Sequence, residues 1–149
     1  MNDQLTTGKV CPYCGQPSQY LNDSSPVYHG INYGPVYACL PCEAWVGVHY
    51  GTTKALGTLA NAPLRAWRKK LHGWFDPMWK AAVEAGRSKS QARKAAYQWL
   101  AGEMEIPVAE CHVGFFNIQQ CRHALNVVQY WYLERDAEKL FTTNVTDKP

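Results

Sequence analysis

Two pairs of cysteines near the amino terminus limit what this chain can fold into more than any other feature. They read Cys11-Pro-Tyr-Cys14-Gly and Cys39-Leu-Pro-Cys42, with 24 residues between the pairs. A two-residue gap lets both thiolates of a pair turn onto one small ion, and two pairs supply the four soft ligands of a tetrahedral Zn²⁺. Pro12 stiffens the first knuckle and Gly15 tolerates the tight backbone just after it. The competing readings are two strained, redox-type disulfides or cysteines that merely pack. Nothing nearby has the βαβ setting of a thioredoxin. The spacing therefore predicts one structural Zn²⁺ on Cys11, Cys14, Cys39 and Cys42. A closed four-thiolate site leaves no open position on the metal, so this ion builds structure and does no chemistry.

The first 50 or so residues are too few to bury a sufficient core alone, which is what the metal is for. With 46% hydrophobic and 18% charged residues, the 149-residue chain is globular rather than disordered. No stretch reaches the length of a membrane span, and Met1 to Lys9 lack the apolar region of a secretory signal. Thiol-rich knuckles without a signal peptide point to a reducing cytoplasm and no membrane partner.

Gln19-Tyr20-Leu21, Pro35 to Ala38 and Trp45 to Tyr50 are short β-forming runs separated by Gly, Pro, Asp and Ser turns. Two knuckles on three short antiparallel strands make a zinc ribbon over residues 1–52. Residues 53–60 have little periodicity and are expected as a linker. From Asn61 the period becomes helical. Asn61 is a cap, Pro63 lies in the first turn, and Leu64, Trp67, Leu71 and Phe75 form a stripe. Gly73 and Pro77 predict a break, with a second short helix to Ala85. Ser90 is expected to cap a third helix through Ala101, and Asn117 a fourth whose stripe is Ile118, Cys121, Leu125, Val128 and Tyr132. Residues 61–141 thus read as a small α-helical bundle and 142–149 as a polar, fraying tail. The fold class is α+β, an N-terminal zinc ribbon followed by that bundle.

The net charge of +3 is unevenly placed. Residues 62–98 hold nine Lys and Arg against two Asp and Glu, a local +7. Such asymmetry suggests an anionic partner at that face. The candidates for phosphate contact are Arg65, Arg68, Lys69 and Lys70 on the first helix, then Arg87, Lys89, Arg93 and Lys94 around the third, with Tyr97 on the same face. The alternative is an ordinary solvated face neutralised by acids of the C-terminal third. His72, Asp76 and His112 are conceivable ligands for a catalytic metal. The chain lacks H-E-x-x-H, a paired-carboxylate motif and a glycine-rich phosphate loop, so no catalytic residue is assigned. Cys111 and Cys121 read as small core residues.

The runs Cys39 to His49, Leu56-Gly-Thr-Leu-Ala-Asn61, Leu64-Arg65, Arg68, His72, Phe75-Asp76, Arg93, Tyr97 to Ala101, Cys111-His-Val-Gly114 and Cys121 carry a resemblance. The chain resembles a family of small zinc-finger-containing proteins of bacteria, prophages and phages, known mainly as a domain of unknown function. The similarity spans roughly residues 9–128. It implies a zinc finger and a bacterial or phage-infected cell, with Arg65, His72, Asp76 and His112 as a common feature. The leading expectation is a zinc-binding, non-enzymatic protein that binds DNA or RNA through its basic helical face. The alternative is a phage-type module that inhibits or recruits a host protein such as a defence nuclease or polymerase. Trp45, Trp74, Trp79, Trp131 and Tyr132 would be its exposed anchors, with Glu134, Asp136 and Glu138 as an acidic docking face. A metal-dependent nuclease is the minor alternative.

Overall fold

The computed structural model of the chain describes residues 3–146, and side chains from residue 4 to residue 137. Residues 147–149 of the expected tail and the Glu138 side chain lie outside the described residues. After one helical turn, α1 (Asp3–Thr6), come the strands β1 (Gln19–Leu21), β2 (Val36–Cys39) and β3 (Ala44–Gly47). They form one antiparallel sheet in the order β1-β2-β3, with Tyr20 opposite Tyr37 and Ala38 opposite Trp45. β2 runs directly into the second knuckle, which turns the chain straight into β3. β3 stops at Gly47, short of the expected Tyr50, which is fully exposed.

The segment expected as a linker is part of the ribbon. Trp45 and Ala60 exchange both backbone hydrogen bonds, at 3.1 and 3.0 Å, and the Leu56 N–H donates to the Gly47 carbonyl at 2.9 Å. These bonds occupy the free edge of β3, whose donors and acceptors need partners. Leu59 is fully buried in the ribbon core with Cys11, Cys39, Ala44 and Val46, while its neighbour Ala60 belongs to the bundle core. Two adjacent residues thus anchor in two different cores.

α2 is one continuous helix, Ala62–Glu84, capped by Asn61, whose side chain accepts from the Leu64 N–H at 3.2 Å. The break expected at Gly73 and Pro77 does not occur. Pro77 cannot donate to the Gly73 carbonyl, but Gly73 is exposed with open space around it, so that carbonyl meets solvent. One residue on, the Tyr132 hydroxyl donates to the Trp74 carbonyl at 2.9 Å, holding the helix from outside. Leu71, Phe75 and Trp79 are all buried, so the apolar stripe runs through the interruption without a change of phase. Tertiary burial outweighs the local breaker.

α3 (Lys89–Met104) is capped by Ser88, two residues before the expected Ser90, and ends on Glu105 in a left-handed conformation, φ +57°. Two 3₁₀ turns, Val108–Glu110 and Val113–Phe115, flank His112. α4 (Ile118–Thr146) reaches into the segment expected as a tail. Asn117 and Gln120 cap it reciprocally, at 2.8 and 2.9 Å, as a capping box. α2 packs against both α3 and α4 around Leu64, Leu71, Phe75, Leu100, Phe116 and Val128, with Cys111 and Cys121 buried as expected.

Ribbon and bundle are stitched where two glycines cross. The Thr58 N–H donates to the Gly114 carbonyl at 2.8 Å, and a Cβ on Gly57 would stand 1.9 Å from that same carbonyl oxygen. Only glycine fits at Gly57, because the obstacle is backbone. The Leu56–Asn61 and Cys111–Gly114 motifs, far apart in sequence, are the two sides of this crossing.

Candidate metal centre and basic face

The four knuckle sulfurs lie within 4.8 Å of one another, and Cys14 Sγ stands 3.8 Å from Cys39 Sγ. Zn–S bonds of about 2.3 Å place tetrahedral sulfurs about 3.8 Å apart, so the cage has the size a zinc ion needs. The knuckles are built alike. Gly15 follows Cys14 at φ +75° and Glu43 follows Cys42 at φ +52°, each turning the chain left-handed after its second cysteine. The Cys11 carbonyl accepts from Gly15 and the Leu40 carbonyl from Glu43. Cys42 is pushed up to about 12, first by the Cys39 sulfur beside it. Burial raises Cys39, and the backbone at Gln16 lowers Cys14. Sulfurs this close resist ionising together unless a cation sits among them, and a dication at their centre supplies that charge. All four positions of such an ion are filled by protein.

The eight candidate phosphate contacts do not form one face. Arg68 is removed from the set, because it is 9% exposed and each of its three guanidinium nitrogens donates within the protein. Its Nη1 donates to the Thr58 carbonyl at 2.9 Å, its Nη2 to Thr58 Oγ1 at 2.6 Å and to the Phe116 carbonyl at 2.9 Å, and its Nε to Phe116 at 3.2 Å. It clamps the ribbon's last segment to the entry of α4. Arg65 is also engaged. Its guanidinium lies 3.5 Å from the centre of the Trp45 ring and donates to the Ala60 carbonyl. Lys70 turns toward Trp67, which Arg122 of α4 approaches too, so it stands apart from the α3 cations.

The remaining cations, Lys69, Arg87, Lys89, Arg93 and Lys94, are exposed. Lys80, which charge clustering alone did not single out, joins them: Lys80, Lys89 and Arg93 lie 5.5–5.8 Å from the centre of the Trp79 ring. Among the described residues the sole salt bridge is His72–Asp76, so the acids Glu134 and Asp136 do not neutralise this corner. Two aromatic expectations also change. Tyr97, counted on the outer basic face, is 8% exposed, and Trp79, expected as a surface anchor, is 9% exposed. Both belong to the α2–α3 interface, where the rings are in phase with the apolar stripes.

His72 Nδ1 lies 3.1 Å from Asp76, which also accepts from Trp79 Nε1 at 3.1 Å. Burial raises the Asp76 carboxyl, but the His72 and Trp79 hydrogen bonds and nearby positive charge bring it below its ordinary value. His112 packs instead between the Tyr97 and Phe115 rings, at 5.4 and 5.1 Å. Among the described residues the four cysteines are the one group of three or more His, Cys, Asp or Glu side chains with converging ligand atoms. His72, Asp76 and His112 therefore do not make the metal site that a nuclease reading requires.

Two knuckles converging on one four-thiolate cage beside a three-stranded antiparallel sheet define a zinc-ribbon protein. The chain belongs to a family described as a zinc-finger-containing domain, whose profile matches residues 7–131. Neither a curated protein nor a solved structure matches it. No helix among the described residues is long and apolar enough to cross a membrane.

Proposed function

We propose that this zinc protein is a non-enzymatic nucleic-acid-binding protein whose contact surface is the basic corner where α2 turns into α3. The observation that carries the reading is that Lys80, Arg87, Lys89, Arg93 and Lys94 gather there, exposed and in no salt bridge among the described residues; Asp76, the acid whose charge Lys80 feels, is held by His72 and Trp79. Unpaired cations held on rigid helices displace counterions from a phosphate backbone at little cost in order. Zinc sets the ribbon, and Arg68 and the glycine crossing fix it to the bundle. Lys69 extends the surface along α2.

The test replaces Lys80, Arg87, Lys89 and Lys94 with Ala and follows labelled duplex and single strands by fluorescence anisotropy across a salt series. Affinity should fall, and the salt slope should flatten by about 0.9 per lost duplex contact. A Lys70/Arg122→Ala variant should change little. Unchanged affinity and slope for both strand types in the fourfold variant would sink the reading.

One observation favours a protein-binding role instead. Tyr33, Tyr50 and Leu56 are exposed around a groove of about 590 Å³ on the ribbon, and exposed tyrosines are common interface anchors. Retention on heparin without a protein partner supports nucleic acid. A stoichiometric host protein captured from nuclease-treated lysate, and lost on Tyr33→Ala/Tyr50→Ala, supports the alternative.

A further inference from the structure

A cavity of about 570 Å³ opens beneath the basic corner, between the first two turns of α3 and the segment before α4. Its volume is that of pockets which enclose small organic ligands, roughly 300–1,000 Å³. Two kinds of wall line it. One is cationic: Lys89, Arg93 and Lys94. The other is aromatic and largely apolar: Tyr97, His112 and Val108, with the Cys111 thiol buried behind. Arg93 stands between Trp79 and Tyr97, its Cζ 5.5 and 6.0 Å from the two ring centres, at the junction of the walls.

The walls ask for different halves of one ligand. Three cations on the first two turns of a helix favour a phosphate, and the positive end of the helix dipole adds to their charge. Two rings in contact favour a planar group. Partial burial and the Arg93 charge hold His112 below its usual pKa, so at neutral pH it offers an uncharged ring. Tyr97 reaches the cavity with only 8% of its surface, packed between Phe75 and His112, so the exposed His112 ring offers most of the stacking surface and Tyr97 backs it. A simple anion would leave the apolar wall unused, and an apolar molecule would leave the cations unused.

We propose that this cavity receives one unpaired nucleotide of a nucleic-acid strand, its phosphate on Lys89, Arg93 and Lys94 and its base against Tyr97 and His112. The assignment rests on the nucleic-acid reading and sharpens it, because a base within a duplex is stacked and cannot enter. The protein therefore prefers single strands or unpaired ends to blunt duplex.

The experiment compares a labelled single strand with a blunt duplex of the same sequence on the zinc-loaded protein, then repeats both on Val108→Trp. Val108 is half-exposed at the mouth of the cavity, so Trp fills the space without entering the core. Single-strand affinity should fall about tenfold, the scale of one stacked base, while duplex affinity holds. On the unaltered protein, a nucleoside monophosphate should displace the strand at concentrations where inorganic phosphate does not. Equal affinity for both forms, unmoved by Val108→Trp, would overturn the cavity proposal and leave the basic-corner reading standing. Displacement by phosphate as effective as by the mononucleotide would overturn it as well. Failure to bind any strand would remove both. Should Val108→Trp melt early, the displacement comparison decides alone.

Discussion

The ribbon and the bundle are held together by opposite means. Among the described residues the cluster of buried side chains around the ribbon's knuckles has five members, two of them zinc ligands, whereas the bundle's has seventeen. At about 25 cal/mol per Å² of buried apolar surface, five small side chains do not offset the ordering of some fifty residues. The seventeen, packed from three helices and the segments that join them, supply far more. Coordination therefore does for one half what apolar packing does for the other. The halves meet in a third way, through backbone: the Gly57–Gly114 crossing and the carbonyls that Arg68 gathers.

The sharpest way to break this comparison is to remove the metal. Structural zinc contributes on the order of 10–16 kcal/mol in small domains, so a strong chelator or Cys11→Ser should unfold the ribbon. Two-dimensional amide spectra should lose the dispersion of residues 9–60, while the far-ultraviolet helix signal largely persists. Helix lost in step with the ribbon would mean that one cooperative unit, rather than two differently held cores, makes up the molecule.

The next effect is at the crossing. Gly57→Ala sets a methyl against the Gly114 carbonyl and should cost about 3 kcal/mol or more in urea unfolding. Gly73→Ala, in open space on α2, should instead stabilise by about 1 kcal/mol. Similar effects for the two would show that the crossing is no tighter than an exposed helix site.

Arg68→Met follows, at about 2–4 kcal/mol, because it strands the buried Phe116 carbonyl and the Thr58 carbonyl without donors. Arg68→Lys should rescue little of this, since one ammonium cannot span both carbonyls as the guanidinium fork does. A melting temperature unchanged by Arg68→Met would return Arg68 to the surface set.

The smallest effect belongs to the bundle alone. Glu105 closes α3 in a left-handed conformation, with Ile106 N–H to Ala101 O at 3.0 Å and Glu105 N–H to Gly102 O at 3.2 Å. Glycine suits that position, so Glu105→Gly should stabilise by about 1 kcal/mol and leave zinc affinity untouched. A drop in melting temperature would contradict this.

Much of the ribbon was legible in the sequence because its information is local. Two residues between cysteines define a knuckle wherever it occurs, and the caps at Asn61 and Asn117 work within a single turn. Glycine and proline rules are equally local, and at Gly73 and Pro77 they misled, because a stripe from Leu71 to Trp79 buried against two other helices outweighs one missing hydrogen bond. Trp79 was misplaced by the same break, since a helix restarted at Pro77 loses the phase that the Leu71–Phe75 stripe gives it, and Tyr97 because α3 has too weak an amphipathic pattern to reveal which face is covered.

What the sequence determined by itself is the zinc site, the order of ribbon then helices, and the positive middle of the chain. All three follow from residue type and short spacing. Tertiary structure alone decided which of those charges are free. Arg68 and Lys69 are neighbours of the same kind, yet one is sealed beneath Thr58 and Phe116 while the other faces solvent. The difference is physical: a guanidinium is buried only where carbonyls from elsewhere in the fold converge to receive it. The Phe116 carbonyl comes from 48 residues away. No local pattern encodes that meeting.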